Sequence, residues 1–177
     1  MKSLEKKQES QTAISVQSSK NYLPETVQKT CKSIELPEQA FNSGLPSLAS
    51  MYKEFGEVKV IAYIKLWITD LVEFINVGKN MLPNQINQTA QMIYDEYHYL
   101  NVADINLVFK RAKMGYYGQP YKLDGQVILS WFRDYNNERC LAAVDENVNK
   151  AVYSNDIEPV PEDKIELLKK IQERFSR

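Results

Sequence analysis

Histidine occurs once in this chain, at His98, and cysteine twice, at Cys31 and Cys140. Two cysteines cannot make a disulfide framework, and with a single histidine no Cys/His zinc set can be assembled, so no metal is expected. Ser/His/Asp and Cys/His catalysis would both have to draw on one histidine at a predicted helix end between Tyr97 and Tyr99, and neither cysteine sits in a local nucleophile context. His98 therefore reads as a surface or interface residue. Long apolar runs are also missing: nothing approaches the ~18 uninterrupted residues of a membrane helix, and the opening MKSLEKKQESQTAISVQSSK has no apolar h-region. A cytoplasmic protein with no membrane partner is expected. Neither GxxxxGK[ST] nor GxGxxG occurs, which leaves no phosphate loop or dinucleotide fingerprint, no expected cofactor and no evident small-molecule substrate. The net charge is only −1, and no segment is charged enough to wrap a phosphate backbone by electrostatics alone.

What is present is the make-up of a globular protein, with 44% apolar and 25% charged residues and an excess of tyrosine, at 11 copies. Residues 1–21 are rich in Lys, Glu, Gln and Ser without a sustained apolar period, so a disordered polar tail is expected there. Residues 22–177 are expected to form a single helical domain of about six to eight helices. Pro24 to Ile34 reads as a short amphipathic helix with Val27 and Cys31 four apart. Pro37, Gly44 and Pro46 punctuate a loop, and SLASMYKEF is a further short helix ending at Gly56. From Glu57, Ile61, Ile64, Ile68, Leu71 and Ile75 form one stripe and Tyr63, Trp67 and Phe74 a second, which predicts a central helix; a coiled-coil seam is the sharper alternative but lasts barely two heptads. Gly78 closes it, and Pro83 opens a helix whose buried stripe is Ile86, Ala90, Ile93 and Tyr97.

Asn101 is placed to cap the next helix, with Asp104 at its third position and Val102, Ile105, Val108, Phe109 and Ala112 facing inward until Gly115. Asp124 is a good N-cap for a helix in which Ile128, Trp131, Phe132 and Tyr135 share a face. Val144, Val148 and Val152 resume the pattern, so 124–152 is either one helix or two. Ser154 to Pro161 breaks helix, and Glu162 to Phe175 forms a last amphipathic one with Ile165, Leu168, Ile171 and Phe175 on one side. VKVIAYI, from Val58 to Ile64, is the one stretch that resembles a strand. The fold class is all-α.

Between the helices that flank it, Gly115-Tyr116-Tyr117-Gly118 superficially matches a nucleic-acid-binding GXXG loop, but the strands that accompany such a loop are missing. The plainer reading is a helix C-cap at Gly115 and a tight turn at Gly118, with the tyrosines packing on adjacent helices. The functional reading makes Tyr116, Tyr117 and Tyr121 an aromatic platform for a partner. Lys110, Arg111 and Lys113 decorate the preceding helix. The short connection before it permits a helix-turn-helix with Asn106, Lys110 and Lys113 facing DNA, although an αα-hairpin has the same signature. A basic face extending from Lys110 and Lys113 to Arg133 would favour nucleic acid, and an exposed apolar and tyrosine patch a protein partner.

Taken together, AQMIYDEYHYLNVADINLVFKRAKMGYYGQPYKLDGQVILSWFRDYNNERC, from Ala90 to Cys140, resembles a family of uncharacterised proteins from bacteriophages and mobile elements of gut Bacteroidales. The resemblance rests on the helix at Tyr94 to Tyr97, Asp104-Ile105, Phe109 with Ala112, the Gly115 to Tyr121 loop and the run Asp124 to Ile128 ahead of Trp131 and Tyr135. It implies genomic setting more than mechanism. The expectation is a non-enzymatic phage or mobile-element adaptor or accessory protein, of the kind that includes replication accessories resembling helicase loaders. The alternatives are a DNA-binding regulator using the helix-turn-helix and a virion or packaging component.

Overall fold

The computed structural model describes residues 22–75, 77–78 and 80–153, with side chains to Val148. The expected tail over 1–21 and the last helix over 162–175 lie outside the described residues, as does part of the single domain expected over 22–177. Contacts divide the chain into two compact units, Met1–Ala142 and Ala143–Arg177. The described residues are all-α: seven helices and no strand, with one isolated bridge between Ser47 and Asn101. The helices are α1 (Pro24–Thr30), α2 (Pro37–Phe41), α3 (Leu48–Phe55), α4 (Glu57–Ile75), α5 (Pro83–Tyr97), α6 (Val102–Lys113) and α7 (Gly125–Tyr153). The strand-like Val58 to Ile64 is helical: within it Val60, Tyr63 and Ile64 are buried at helical spacings of three and four, and Val58 is exposed.

Two expectations need correction, and one alternative left open by the sequence is decided. The 37–46 stretch, read as a loop, contains α2. Pro37 supplies a preset first-turn φ, and the Gln39 side chain accepts from the amides of Glu35 and Leu36 at 2.9 and 3.2 Å. The central helix is α6 and not α4. Ten of α6's twelve residues are buried, with α1, α2 and α4 against it, whereas α4 buries Val60, Tyr63, Ile64, Trp67, Ile68 and Leu71 and leaves Phe74 exposed. Finally, 125–153 is one continuous helix, and its later valines, Val144 and Val148, are exposed.

Aromatic rings form a chain through the core. Tyr63 meets Trp67 edge-on, Trp67 stacks on Phe109 at 5.5 Å, Phe109 meets Phe132 edge-on at 5.8 Å, and Phe132 packs on Tyr97 at 5.5 Å. This chain joins α4, α6, α7 and α5. The turn between α5 and α6 is held by main-chain bonds: Leu48 donates to Leu100 O, Ala49 to His98 O and Val102 to Pro46 O, at 2.8–3.0 Å.

A buried polar network starts at the same turn. Asn101 Oδ1 accepts from the Asp104 amide and Asp104 Oδ2 from the Asn101 amide, both at 2.9 Å, a reciprocal capping box at the start of α6. Asn101 Nδ2 also donates to Ala40 O at 2.8 Å, which anchors α2. Asp104, fully buried, uses its other oxygen to accept from Tyr135 Oη at 2.6 Å and Arg139 Nε at 3.1 Å on α7. A cap that the sequence announces therefore also fixes how α7 lies on α6.

Candidate functional site

The α6–α7 loop is fixed at its base by its own chemistry. Gly115 and Gly118 have φ of 75° and 87°, the left-handed region that a side chain disfavours. The Tyr116 amide donates to Arg111 O at 2.9 Å and the Gly115 amide to Ala112 O at 3.1 Å, a Schellman ending that satisfies the last carbonyls of α6. At the other end Asp124 Oδ1 accepts from the Val127 amide at 3.1 Å and caps α7, and Asp124 pairs with Lys122 at 2.8 Å. The Lys122 contact, then the amide bond, holds the Asp124 carboxyl below its ordinary range. Gly125 starts α7 so close to the buried Thr89 Oγ1 that a Cβ there would overlap it.

The three tyrosines singled out by sequence separate into two roles. Tyr117 turns inward: it is half-buried, its ring stacks on Trp131 at 5.7 Å with planes 14° apart, and burial pushes its phenol well above the ordinary value. Tyr116 is 63% exposed and lies edge-on to Tyr117 at 5.3 Å, with the Arg111 guanidinium 4.7 Å from its ring. That guanidinium cannot wander. Glu138 grips it with two bonds of 2.6 and 3.0 Å, and it also donates to Glu35 O at 3.1 Å. Tyr121 is 92% exposed, and Met114, which the sequence reading passed over, is 76% exposed. Met114, Tyr116 and Tyr121 are thus exposed side chains in or beside a loop whose two ends are fixed by hydrogen bonds.

The basic residues do not assemble into one face. Lys110 Nζ donates to the carbonyls of Lys32 and Ile34, each at 3.0 Å, and so ties the end of α1 to α6. Lys113 pairs with Asp70 at 2.6 Å and lies over the Phe74 ring at 5.1 Å. Arg133, exposed on α7, lines a separate cleft with Glu96 and Gln126. Asn106, expected to face DNA, is instead 1% exposed, because α6 is enclosed on nearly every side. His98 is exposed between the rings of Tyr94 and Tyr99.

Among the described residues, no group of three His, Cys, Asp or Glu side chains gathers as a metal set, and no helix is long and apolar enough to cross a membrane. Comparisons of the chain with protein families, with curated proteins and with solved structures find no match.

Proposed function

We propose that the protein is a non-enzymatic adaptor that docks a protein partner on the α6–α7 loop, with Tyr116 and Tyr121 as anchors and Met114 beside them. The observation that carries this reading is that two tyrosines and a methionine stand exposed on a loop whose base is rigid. Aromatic side chains that need little ordering on binding are favoured anchors, since less conformational entropy is lost when they are covered. Tyr117 serves the same reading from beneath, by holding the loop against Trp131. The resemblance of 90–140 to phage and mobile-element proteins supplies the setting, and a replication accessory of the helicase-loader kind is the specific class it suggests.

The DNA-binding alternative draws less support. Its reading helix would have to present Asn106, which is buried, and two lysines already engaged by Asp70 and by the carbonyls of Lys32 and Ile34. The test is capture of partners from the cells that make the protein, comparing the natural chain with Tyr116→Ala/Tyr121→Ala. The adaptor reading requires a partner lost with the tyrosines at an unchanged melting temperature. Sequence-specific duplex binding that disappears with Lys110→Ala/Lys113→Ala and ignores the tyrosines contradicts it.

A further inference from the structure

An apolar cleft of about 250 Å³ lies between the residues that lead into α1 and the α3–α4 pair, independent of the docking role proposed for the tyrosine loop. Leu23, Phe55, Ala62 and Leu66 form its walls, and Met51 and Val60, both buried, close its base. The Tyr22 ring lies tilted against Phe55 at 6.5 Å, and both rings also pack on the core, which holds that wall in place. Lys59, exposed at the edge, is the one charged side chain on the lining. Its ammonium sits over the Phe55 ring at 6.0 Å, and among the described residues no carboxylate comes within ion-pair distance of it. Water held against such walls is released when an apolar group takes its place, and the unpaired cation sets the sign of the charge that should accompany that group.

We infer that this cleft binds a free apolar monocarboxylate, a fatty acid of medium chain length. A fatty acid keeps all of its polar atoms at one end, which matches apolar walls with a single cation at the edge. A peptide segment ending in a carboxylate would also bring main-chain amides. Leu23, Phe55, Ala62 and Leu66 offer those amides no hydrogen-bonding side chain, so burying them there is unfavourable. Benzene fills a cavity of about 150 Å³, roughly 25 Å³ per carbon, so a cleft of about 250 Å³ accommodates an acyl chain of about ten carbons. The hydrocarbon supplies most of the affinity, and Lys59, facing solvent, contributes the preference for an anion.

The experiment is calorimetric titration of the full chain at neutral pH with hexanoate, octanoate, decanoate and dodecanoate below their micelle thresholds. Decanol, decylammonium and N-acetyl-leucyl-leucine are titrated beside them, and amide chemical shifts on α3 and α4 locate the site. Affinity is expected to rise roughly two- to fourfold per methylene as far as decanoate and to level off at dodecanoate. Decanoate should exceed decanol by roughly two- to fivefold, an advantage that Lys59→Gln removes without weakening decanol. Leu66→Asp, at an exposed position, places a carboxylate on the apolar wall and is expected to weaken decanoate by roughly tenfold or more. If that variant does not fold, Lys59→Gln still provides the reading, since its side chain faces solvent. No saturable binding of any of the acids, decanol or decylammonium bound as tightly as decanoate, or N-acetyl-leucyl-leucine bound more tightly than octanoate overturns the inference. So does a dimer in sedimentation that Leu66→Asp dissociates and decanoate does not, which would make a second copy of the chain the occupant.

Discussion

Replacing Asp104 with alanine is expected to be the most destabilising polar substitution in the protein. Asp104 is fully buried and receives three donors: the Asn101 amide at 2.9 Å, Tyr135 Oη at 2.6 Å and Arg139 Nε at 3.1 Å. Alanine removes the acceptor and leaves the donors in place, so a buried phenol loses its partner and a largely enclosed guanidinium loses its counter-charge. Removing one member of a buried pair typically costs about 3–5 kcal/mol, more than the pair contributes, because the remaining group is stranded away from water. Tyr135→Phe deletes one donor and strands nothing of opposite charge, so about 1.5–3 kcal/mol is expected. Asn101→Ala, which removes the α6 cap, is expected to cost about 0.5–2 kcal/mol. Urea titration followed by circular dichroism gives all three. With a slope near 2 kcal/mol per molar, the Asp104→Ala midpoint falls by roughly 2 M at unchanged slope. A loss below about 1 kcal/mol, or one no larger than that of Asn101→Ala, would show that Asp104 is hydrated and that the network does not hold α7 to α6.

Trp131→Ala is expected to cost about 3–5 kcal/mol in the same titration, and Tyr117→Ala roughly 1–2 kcal/mol because only part of its ring is buried on Trp131; equal losses would place the loop in the core. Burial, joined at Tyr135 by the Asp104 charge, raises the phenols of Tyr63, Tyr117 and Tyr135. Below about pH 10 these phenols hold their protons in both states and stability is intact. Above it the unfolded chain ionises first, so stability falls as pH rises, and absorbance at alkaline pH should show three tyrosines titrating only with unfolding. Gly125→Ala brings a methyl onto Thr89 Oγ1 and is expected to cost about 1–3 kcal/mol in a thermal melt; a neutral result would mean that α5 and α7 yield at this crossing.

The sequence reveals an interaction when both partners are local. The capping pair Asn101 and Asp104, the left-handed glycines at 115 and 118 and the Ile128, Trp131, Phe132, Tyr135 face of α7 are visible because each is set by neighbours within two helical turns. The centrality of α6 is not, since apolar periodicity marks one face and α6 buries Asn106 and Arg111 as well. Those polar residues are enclosed by α1, α2 and α4, whose arrival is a tertiary event. The same reason hides the roles of Lys110 and Lys113: their partners at Lys32, Ile34 and Asp70 are distant in the chain, so a solvated basic face and a set of internal ties look alike in sequence. Tyr117 and Tyr121 also look alike in sequence, and only the position of Trp131 separates the packed ring from the exposed one.

The central claim is that the exposed side chains of the α6–α7 loop form a protein-docking surface, and the most direct measurement is quantitative capture with the natural chain, Tyr116→Ala/Tyr121→Ala and Lys110→Ala/Lys113→Ala side by side, each with its melting curve. The account predicts one partner that binds the natural chain and purifies with it as a complex. That partner should be lost by at least roughly tenfold with the tyrosine pair, at a melting temperature within a degree or so of the natural chain, as expected for anchors worth about 1–2 kcal/mol or more. A partner retained in full by the tyrosine variant, or duplex DNA retained by the natural chain and lost with the lysine pair alone, would contradict it.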